Sequence, residues 1–173
     1  MTPQALETVV VAPFANERLR EWPIGHFQRY IELVLRDEPA RVLVVGTRAQ
    51  RVRANALVRD FPATRVVNAC GTMGWDDVVT TIDSAASVVT NNSGIGHLAA
   101  ARGRWTLCVF AASHAWLEWM PRGPRVVVIT RAVPCAPCEI ADNPCPNAIA
   151  CMDGLAPDVA FERFRRIRSG DHH

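Results

Sequence analysis

Six short runs of apolar, largely β-branched residues are spread along the chain, with polar stretches between them. They cover residues 8–14, 41–46, 64–69, 87–91, 105–111 and 125–130. Each run is almost continuously apolar and does not alternate with polar residues, which is typical of strands buried on both faces. The pattern therefore predicts six strands of a mostly parallel sheet.

The segments between these runs carry apolar residues at helical spacing. Ile24, Phe27 and Ile31 follow Pro23 and predict a helix over 23–39. Further helices are expected over 48–61, over 74–86, from the loop after residue 91, and over about 156–168 at the end of the chain. Alternating strands and helices predict an α/β fold, a doubly wound, mostly parallel, Rossmann-like sheet covered on both faces. At 173 residues the chain fits a single domain, 1–173, with a cysteine-rich loop at 134–152.

Composition narrows the class of protein. The net charge of +2 gives no indication of nucleic-acid binding, and no apolar run reaches the roughly 20 residues of a membrane span. The N-terminus lacks the pattern of a secretory leader, so we expect a cytoplasmic protein. The basic stretch RFRRIR (163–168) is either a solvated face or a peripheral contact with anionic lipid at the inner membrane face. All nineteen basic residues are arginine, so any phosphate contact must come from arginine or from backbone N–H groups.

The stretch VTNNSGIGHLAAARG (89–103) runs from a strand through a polar loop into a helix. Ligands of open parallel sheets bind at the carboxyl ends of the strands, where this loop lies. The N-terminus of a helix presents free N–H groups and a partial positive charge, which suit phosphate. Asn92 and Ser93 add polar donors, Gly94 and Gly96 permit close backbone approach, and His97 lies in the first helical turn. The alternative is that Asn or Ser caps the helix and nothing binds.

The loop after the first strand also lies at a carboxyl end of the sheet. It carries Asn16, Arg18 and Arg20 just before Trp22-Pro23. An arginine here could reach the crevice of Ser93 and pair with a diphosphate. The alternative is a solvated charged loop. The two loops together favour a nucleotide-binding crevice.

Six cysteines occur in the chain, and four of them are clustered in the loop at 134–152. Cys135, Cys138, Cys145 and Cys151 have the spacing C-x2-C-x6-C-x5-C, which could close a structural tetrahedral zinc site or a four-thiolate iron site. Disulfides or free thiols are the alternatives. The other two, Cys70 and Cys108, lie in or beside predicted strands and are expected to be small apolar core residues.

An aromatic segment, HAWLEWMP (114–121), follows the fifth strand. Its two tryptophans could stack on a base, face a sugar or pack against another domain.

Three separated motifs of the chain resemble glycosyltransferase family 9, the bacterial heptosyltransferases that move heptose from ADP-heptose onto lipopolysaccharide core. They are REWP at the entry to the first helix, NNSGIGHLAAARG, and CAPCEIADNPCPNAIACMDGLAPDVAFE. The resemblance spans roughly residues 9 to 165. It implies the C-terminal, donor-binding half of a two-domain GT-B enzyme, with inverting transfer that needs no cofactor.

The resemblance also implies roles for individual residues. Arg20 stands where the family has a lysine that contacts the donor diphosphate, and Gln50 stands near a glutamate that accepts the ribose hydroxyls. The loop and helix start that hold the diphosphate correspond to Asn92, Ser93, Gly94, Gly96 and His97.

The chain departs from the family pattern in three respects. Asn92 replaces an aspartate, Gln50 replaces the glutamate, and the acceptor-binding half with its proposed catalytic aspartate is not found in the sequence. We therefore expect an incomplete enzyme that binds a nucleotide-diphosphate sugar resembling ADP-heptose. A separate domain or chain would hold a glycan or lipid-linked acceptor. The alternatives are a nucleotide-binding module without turnover and a metal-stapled interaction domain.

Overall fold

One six-stranded parallel sheet forms the centre of the protein. The computed structural model describes residues 5–112, 116–136, 145 and 147–170. Within these ranges the strand order is β3-β2-β1-β4-β5-β6 and every neighbouring pair is parallel. The strands are β1 (Glu7–Ala12), β2 (Ala40–Val44), β3 (Val66–Asn68), β4 (Ser87–Asn91), β5 (Trp105–Phe110) and β6 (Val126–Thr130). This arrangement confirms the predicted Rossmann-like α/β fold.

Seven α-helices connect and cover the strands in the described residues. They are α1 (Ile24–Asp37), α2 (Arg51–Val58), α3 (Trp75–Ser84), α4 (Gly94–Ala101), α5 (Trp116–Trp119), α6 (Ala150–Asp153) and α7 (Pro157–Ser169). Two short 3₁₀ helices precede α1 and α2, at Arg18–Arg20 and Arg48–Gln50.

The helix expected over 48–61 differs from the observed one at both ends. Its first turn is the 3₁₀ helix, because Thr47 and Gln50 form a capping box that tightens the backbone there. The α-helix then ends at Val58, four residues before Pro62, and proline disfavours helical geometry in the residue that precedes it.

Side chains of β1 alternate between two hydrophobic clusters, one on each face of the sheet. Val9 and Val11 point into the larger cluster, which contains residues of α1, α2, α6 and α7. Val10 and Ala12 point into the smaller cluster, which contains residues of α3 and α4. Because side chains alternate along a strand, β1 contributes to the hydrophobic core on both faces of the sheet.

Trp22 organises the larger cluster. Its indole is 1% exposed and makes edge contacts with Phe27 and Tyr30, at ring-centroid distances of 5.2 and 6.3 Å. Its Nε1 donates a hydrogen bond of 2.9 Å to the carbonyl oxygen of Leu155, between α6 and α7. This one side chain therefore connects the start of α1 to the C-terminal segment.

Ion pairs fix α7 against the rest of the fold. Arg168 near its end bonds Ser87 at 3.2 Å and pairs with Glu38, and this contact is largely shielded from solvent. Asp158 at its start accepts from Arg29 at 2.7 Å on the exposed side of α1. Within the described ranges, none of the helices combines the length and apolarity needed to cross a bilayer.

We predict that Trp22→Phe lowers the free energy of unfolding by about 1–3 kcal/mol, because the buried Leu155 carbonyl loses its donor while most of the ring packing remains. Urea unfolding followed by circular dichroism measures this loss. Trp75→Phe is the matched control, since Trp75 is 64% exposed and its change should stay within about 0.5 kcal/mol. Equal stability of the two variants would contradict a structural role for the indole N–H.

Candidate functional site

The loops that follow β1, β2, β3 and β4 converge on one crevice at the carboxyl edge of the sheet. The crevice is a cavity of about 390 Å³. The predicted site residues that line it are Asn16, Arg20, Gln50, Asn92, Ser93 and Gly94. A smaller cavity of about 250 Å³ adjoins it and adds His97 and Trp119. The strand order reverses between β1 and β4, and ligands of doubly wound sheets bind at this switch point.

The loop after β1 is held in place by a buried carboxylate. Glu21 is 9% exposed and accepts a hydrogen bond of 3.2 Å from the backbone N–H of Ala15. Both oxygens of Glu21 also accept from Arg53 of α2, whose guanidinium lies 4.7 Å from the ring centre of Phe14. Because the two ends of the loop are tied together, the segment between them, with Asn16, is presented to the crevice in a fixed position.

Asn91, the last residue of β4, ties this loop to the centre of the sheet. Its side chain is fully buried. Its Oδ1 accepts from the backbone N–H of Trp22 at 2.9 Å, and its Nδ2 donates to the carbonyl oxygen of Pro13 at 2.8 Å. One amide therefore satisfies a buried donor and a buried acceptor at opposite ends of the β1 loop.

The N-terminus of α4 forms the opposite wall of the crevice. Ser93 occupies the capping position, but its hydroxyl lies 2.8 Å from Thr90 Oγ1 and makes no capping bond to the helix. The backbone N–H groups of Gly94 and Ile95 have no partner among the described residues. Ser93 therefore does not cap the helix through its side chain, and the helix start faces the cavity with donors that are free among the described residues.

Arg20 and Ser93 line the same cavities, from the β1 loop and from α4 respectively. Arg20 Nε lies 3.2 Å from Glu17 Oε2 in an (i, i+3) pair, with 28% of the Arg20 side chain exposed. Exposed pairs of this kind contribute about 0–1 kcal/mol, so Glu17 is only a weak competitor for a bound anion. Neither cavity has an Asp or Glu among its described lining residues, which leaves the crevice positively polarised.

Gln50 lines the β2 side of the crevice, and part of its side chain is already engaged. Its Oε1 accepts from the backbone N–H of Thr47 at 2.8 Å. A Cβ on Gly46 would lie 2.6 Å from the same oxygen, so only glycine leaves room for this arrangement. The amide nitrogen of Gln50 and the second lone pair of its Oε1 therefore remain as the groups that could bond a ligand.

Gly96 has a different place from its neighbours in the motif. It does not line either cavity, and a Cβ at this position would lie 2.9 Å from Thr90 Cγ2. Its lack of a side chain allows α4 to pack closely on β4. Gly96 thus positions the helix whose N-terminus faces the crevice.

The four clustered cysteines are only partly described. Cys138 lies outside the described residues, while Cys135, Cys145 and Cys151 are partly buried free thiols. Among the described residues no three potential ligands are grouped as in a metal site. The metal site therefore stays a prediction.

Cys70 and Cys108 are fully buried, as expected for core residues. Burial raises the pKa of the Cys70 thiol to about 11 and raises the pKa of Cys108 even further above its ordinary range. Both thiols are therefore protonated and unreactive at neutral pH.

Sequence reasoning missed the groups that hold the crevice together. Asn91 stood beside Asn92, and Glu21 and Arg53 belonged to segments whose charges are exposed in most proteins. The partners of Asn91 lie 69 and 78 residues away along the chain, so no local pattern marks them. Trp75, at the start of α3, also lines the crevice and carried no local signal beyond its size.

The chain is a doubly wound parallel α/β domain with a positively polarised crevice at its switch point, the place where ligands of such sheets bind. The sequence model of glycosyltransferase family 9 (heptosyltransferase) matches residues 3–149, and the chain belongs to this family. The family resemblance inferred from the three motifs is thereby confirmed. No curated protein shows significant sequence similarity to the chain.

Solved structures of three Escherichia coli proteins share the fold. ADP-heptose lipopolysaccharide heptosyltransferase II matches with a TM-score of 0.77 and 17% identity, over 97% of this chain and 48% of its own. Heptosyltransferase WaaC with ADP matches with a TM-score of 0.73 and 21% identity, over 96% of this chain and 45% of its own. The iron-containing dodecameric glycosyltransferase TibC of enterotoxigenic E. coli matches with a TM-score of 0.69 and 13% identity, over 98% of this chain and 49% of its own. The chain thus spans about half the length of each.

We predict that Asn91→Asp lowers the free energy of unfolding by at least about 2 kcal/mol at neutral pH, because a carboxylate oxygen would replace the donor that faces the Pro13 carbonyl. Repulsion and burial raise the folded-state pKa of the new carboxyl above its unfolded value of about 3.9. The loss relative to wild type should therefore be smallest near or below that pH and grow as pH rises through the folded-state pKa.

Urea unfolding at pH 4.5 and pH 7.5 tests this dependence. Asn92→Asp is the matched control, since Asn92 is only half-buried and has no hydrogen-bond partner among the described residues. A pH-independent loss at position 91 would show that charge is not the cause.

Proposed function

We propose that the chain is the donor-binding half of a heptosyltransferase-like glycosyltransferase. It binds a nucleotide-diphosphate sugar resembling ADP-heptose for transfer to a lipopolysaccharide or other glycan acceptor. The main support is that Arg20 and the free N–H groups at the start of α4 face each other across one cavity without a described carboxylate in its lining. Arginine and a helix N-terminus are both favourable partners for a diphosphate.

The diphosphate is proposed to lie between Arg20 and the N-terminus of α4, with Ser93 and Asn92 as additional donors. The larger cavity continues from there along β2 and β3, past Gly46 and Gln50, to the apolar side chains of Val45, Ala69, Met73, Trp75 and Val78. Such a lining suits the ribose and then the base of a nucleoside. The similar structure of WaaC contains ADP, in agreement with this class of ligand.

Gln50 and Asn92 set the expected strength of binding. Both are neutral amides, and a neutral amide accepts a weaker hydrogen bond from a hydroxyl than a carboxylate does. One lone pair of Gln50 Oε1 already accepts from Thr47, and we propose that its amide nitrogen donates to a ribose oxygen. We therefore expect the diphosphate to contribute more to the affinity than the ribose does.

Transfer to a hydroxyl also requires an acceptor site and a general base within hydrogen-bond reach of that hydroxyl. Among the described residues that line the two cavities there is no carboxylate that could serve as this base. We propose that a further domain or chain supplies the acceptor site and the base. The similar structures, each about twice as long as this chain, support this division.

The cysteine segment is proposed to hold a structural zinc or iron ion through Cys135, Cys138, Cys145 and Cys151. The similar protein TibC is described as iron-containing. The segment also includes two consecutive non-glycine residues with positive φ, Ala148 at 49° and Ile149 at 58°. Such conformations persist only where surrounding contacts impose them, and a metal staple would do so.

We propose a cytoplasmic location, with peripheral binding at the inner membrane face where lipid-linked acceptors are found. Part of the basic face of α7 supports this: Arg163 and Arg166 are exposed, whereas Arg165 pairs with Glu162. Two exposed arginines without an ion pair among the described residues would make this a weak and salt-sensitive attraction.

Calorimetric titration with ADP and with ADP-, UDP- and GDP-sugars tests the donor-binding function. We expect binding that is strongest for adenine nucleotides. Absence of binding to all of them would refute the proposal. If a donor binds, transfer should appear only when an acceptor-binding domain is supplied.

We predict that Arg20→Ala weakens ADP binding by about 1.5–3 kcal/mol, roughly 10- to 150-fold, because a charge-assisted hydrogen bond to the diphosphate is lost. Arg18→Ala is the matched control, since Arg18 lies on the same 3₁₀ helix but does not line the crevice. It should change the affinity by less than about threefold, the scale of a distant surface charge. Equal effects of both substitutions would assign the loss to general charge.

For the cysteine segment, we predict one zinc or iron ion per chain in protein purified without chelator, as measured by elemental analysis. Cys138→Ser should lower the metal content, since structural sites of this kind use four ligands. Cys70→Ser is the control, because Cys70 is buried in the core and away from the segment. Metal-free protein that keeps its fold and its ADP affinity would overturn the proposed staple.

A further inference from the structure

Two tryptophans line the two adjoining cavities, one in each, with most of their surface in solvent. Trp75 is 64% exposed and lines the larger cavity, whereas Trp119 is 59% exposed and lines the smaller one. Trp75 begins α3, which follows β3, and Trp119 ends α5, which follows β5; in the sheet, β3 and β5 lie on different sides of the β1–β4 switch point. Large exposed aromatic surfaces beside a cavity are typical of ligand or partner contacts.

The two cavities meet at the residues proposed to hold the diphosphate. Asn16, Arg20, Asn92, Ser93 and Gly94 line both cavities. A diphosphate at this junction could direct one of its two substituents into each cavity. This inference therefore rests on the proposed function.

The linings of the two cavities differ in polarity and size. The larger cavity, about 390 Å³, ends among Val45, Ala69, Met73 and Val78, and suits a nucleoside. The smaller cavity, about 250 Å³, is lined by the polar side chains of the junction together with His97 and the ring of Trp119. A sugar has a rim of hydroxyl groups and an apolar C–H face. It thus matches a polar pocket with one aromatic wall.

We propose that Trp119 is the platform for the transferred sugar. The apolar C–H face of a pyranose packs on the indole, whose ring face is electron-rich, while its hydroxyls reach Asn16, Asn92 and His97. Trp119 thereby distinguishes a sugar nucleotide from the free nucleoside diphosphate. Trp75, in the larger cavity, contacts the nucleoside part that both ligands share.

The experiment compares the affinities of ADP and ADP-heptose by calorimetry for wild type, Trp119→Ala and Trp75→Ala. Trp119→Ala should weaken ADP-heptose about threefold to tenfold, the range of one aromatic contact, and leave ADP within about twofold. Trp75→Ala should weaken both ligands by the same factor. Trp119→Phe should keep most of the ADP-heptose affinity, since a flat aromatic face remains.

The remaining outcomes contradict either this inference or the proposed function. An unchanged ADP-heptose affinity in Trp119→Ala overturns the platform and assigns Trp119 to contact with another domain. Equal losses for ADP and ADP-heptose in Trp119→Ala also overturn it, because the ring would then serve the nucleotide. Wild-type binding of ADP without any gain from the sugar overturns this inference but leaves the proposed function standing. Absence of binding to both ligands defeats the proposed function itself.

Discussion

The side-chain amide of Asn91 is the contact on which the crevice depends. It accepts from Trp22 N–H and donates to the Pro13 carbonyl, so it fixes both ends of the β1 loop against β4. Each of these bonds is buried, and breaking one would leave a polar group without water, at a cost of about 1–3 kcal/mol. The distance between Arg20 and the start of α4 follows from this clamp. Neither group needs a contact with the other to stay in place.

The polarity of the crevice results from what surrounds it as much as from what lines it. Two carboxylates of the β1 loop are already paired with arginines. Glu21 is buried against Arg53, and Glu17 pairs with Arg20 at the exposed edge of the crevice. The free N–H groups of α4 are therefore not neutralised by a described side chain. This distribution fits an anionic ligand that brings its own negative charge, and it explains why a modest net charge is sufficient.

The fold was accessible from the sequence because continuous apolar strands and alternating helices leave few other architectures. The convergence of Arg20 and Ser93 was accessible as well, since the loops at the carboxyl ends of parallel strands meet. The clamp was not accessible: Asn91 and Asn92 are chemically identical, and only the three-dimensional structure shows that the first is buried and the second lines the crevice.

Gln50 shows a second limit of sequence reasoning. Its position beside the ribose region could be inferred, but the bond from Thr47 N–H to its Oε1 depends on a local 3₁₀ turn where a regular helix was expected. The cysteine segment shows a third limit. Its spacing predicts a metal, yet ligand geometry is set by loop conformation, and a pattern of four thiols is compatible with several pairings.

The double attachment of Trp22 has a consequence for the order in which the protein is built. The partner of its backbone N–H lies 69 residues further along the chain, and the partner of its indole N–H lies 133 residues further along. During synthesis from the N-terminus, the segment that carries Arg20 emerges early but acquires its last anchor only when Leu155 has left the ribosome. Contacts of such long range form slowly, so the ligand pocket is completed only after this final stretch has emerged.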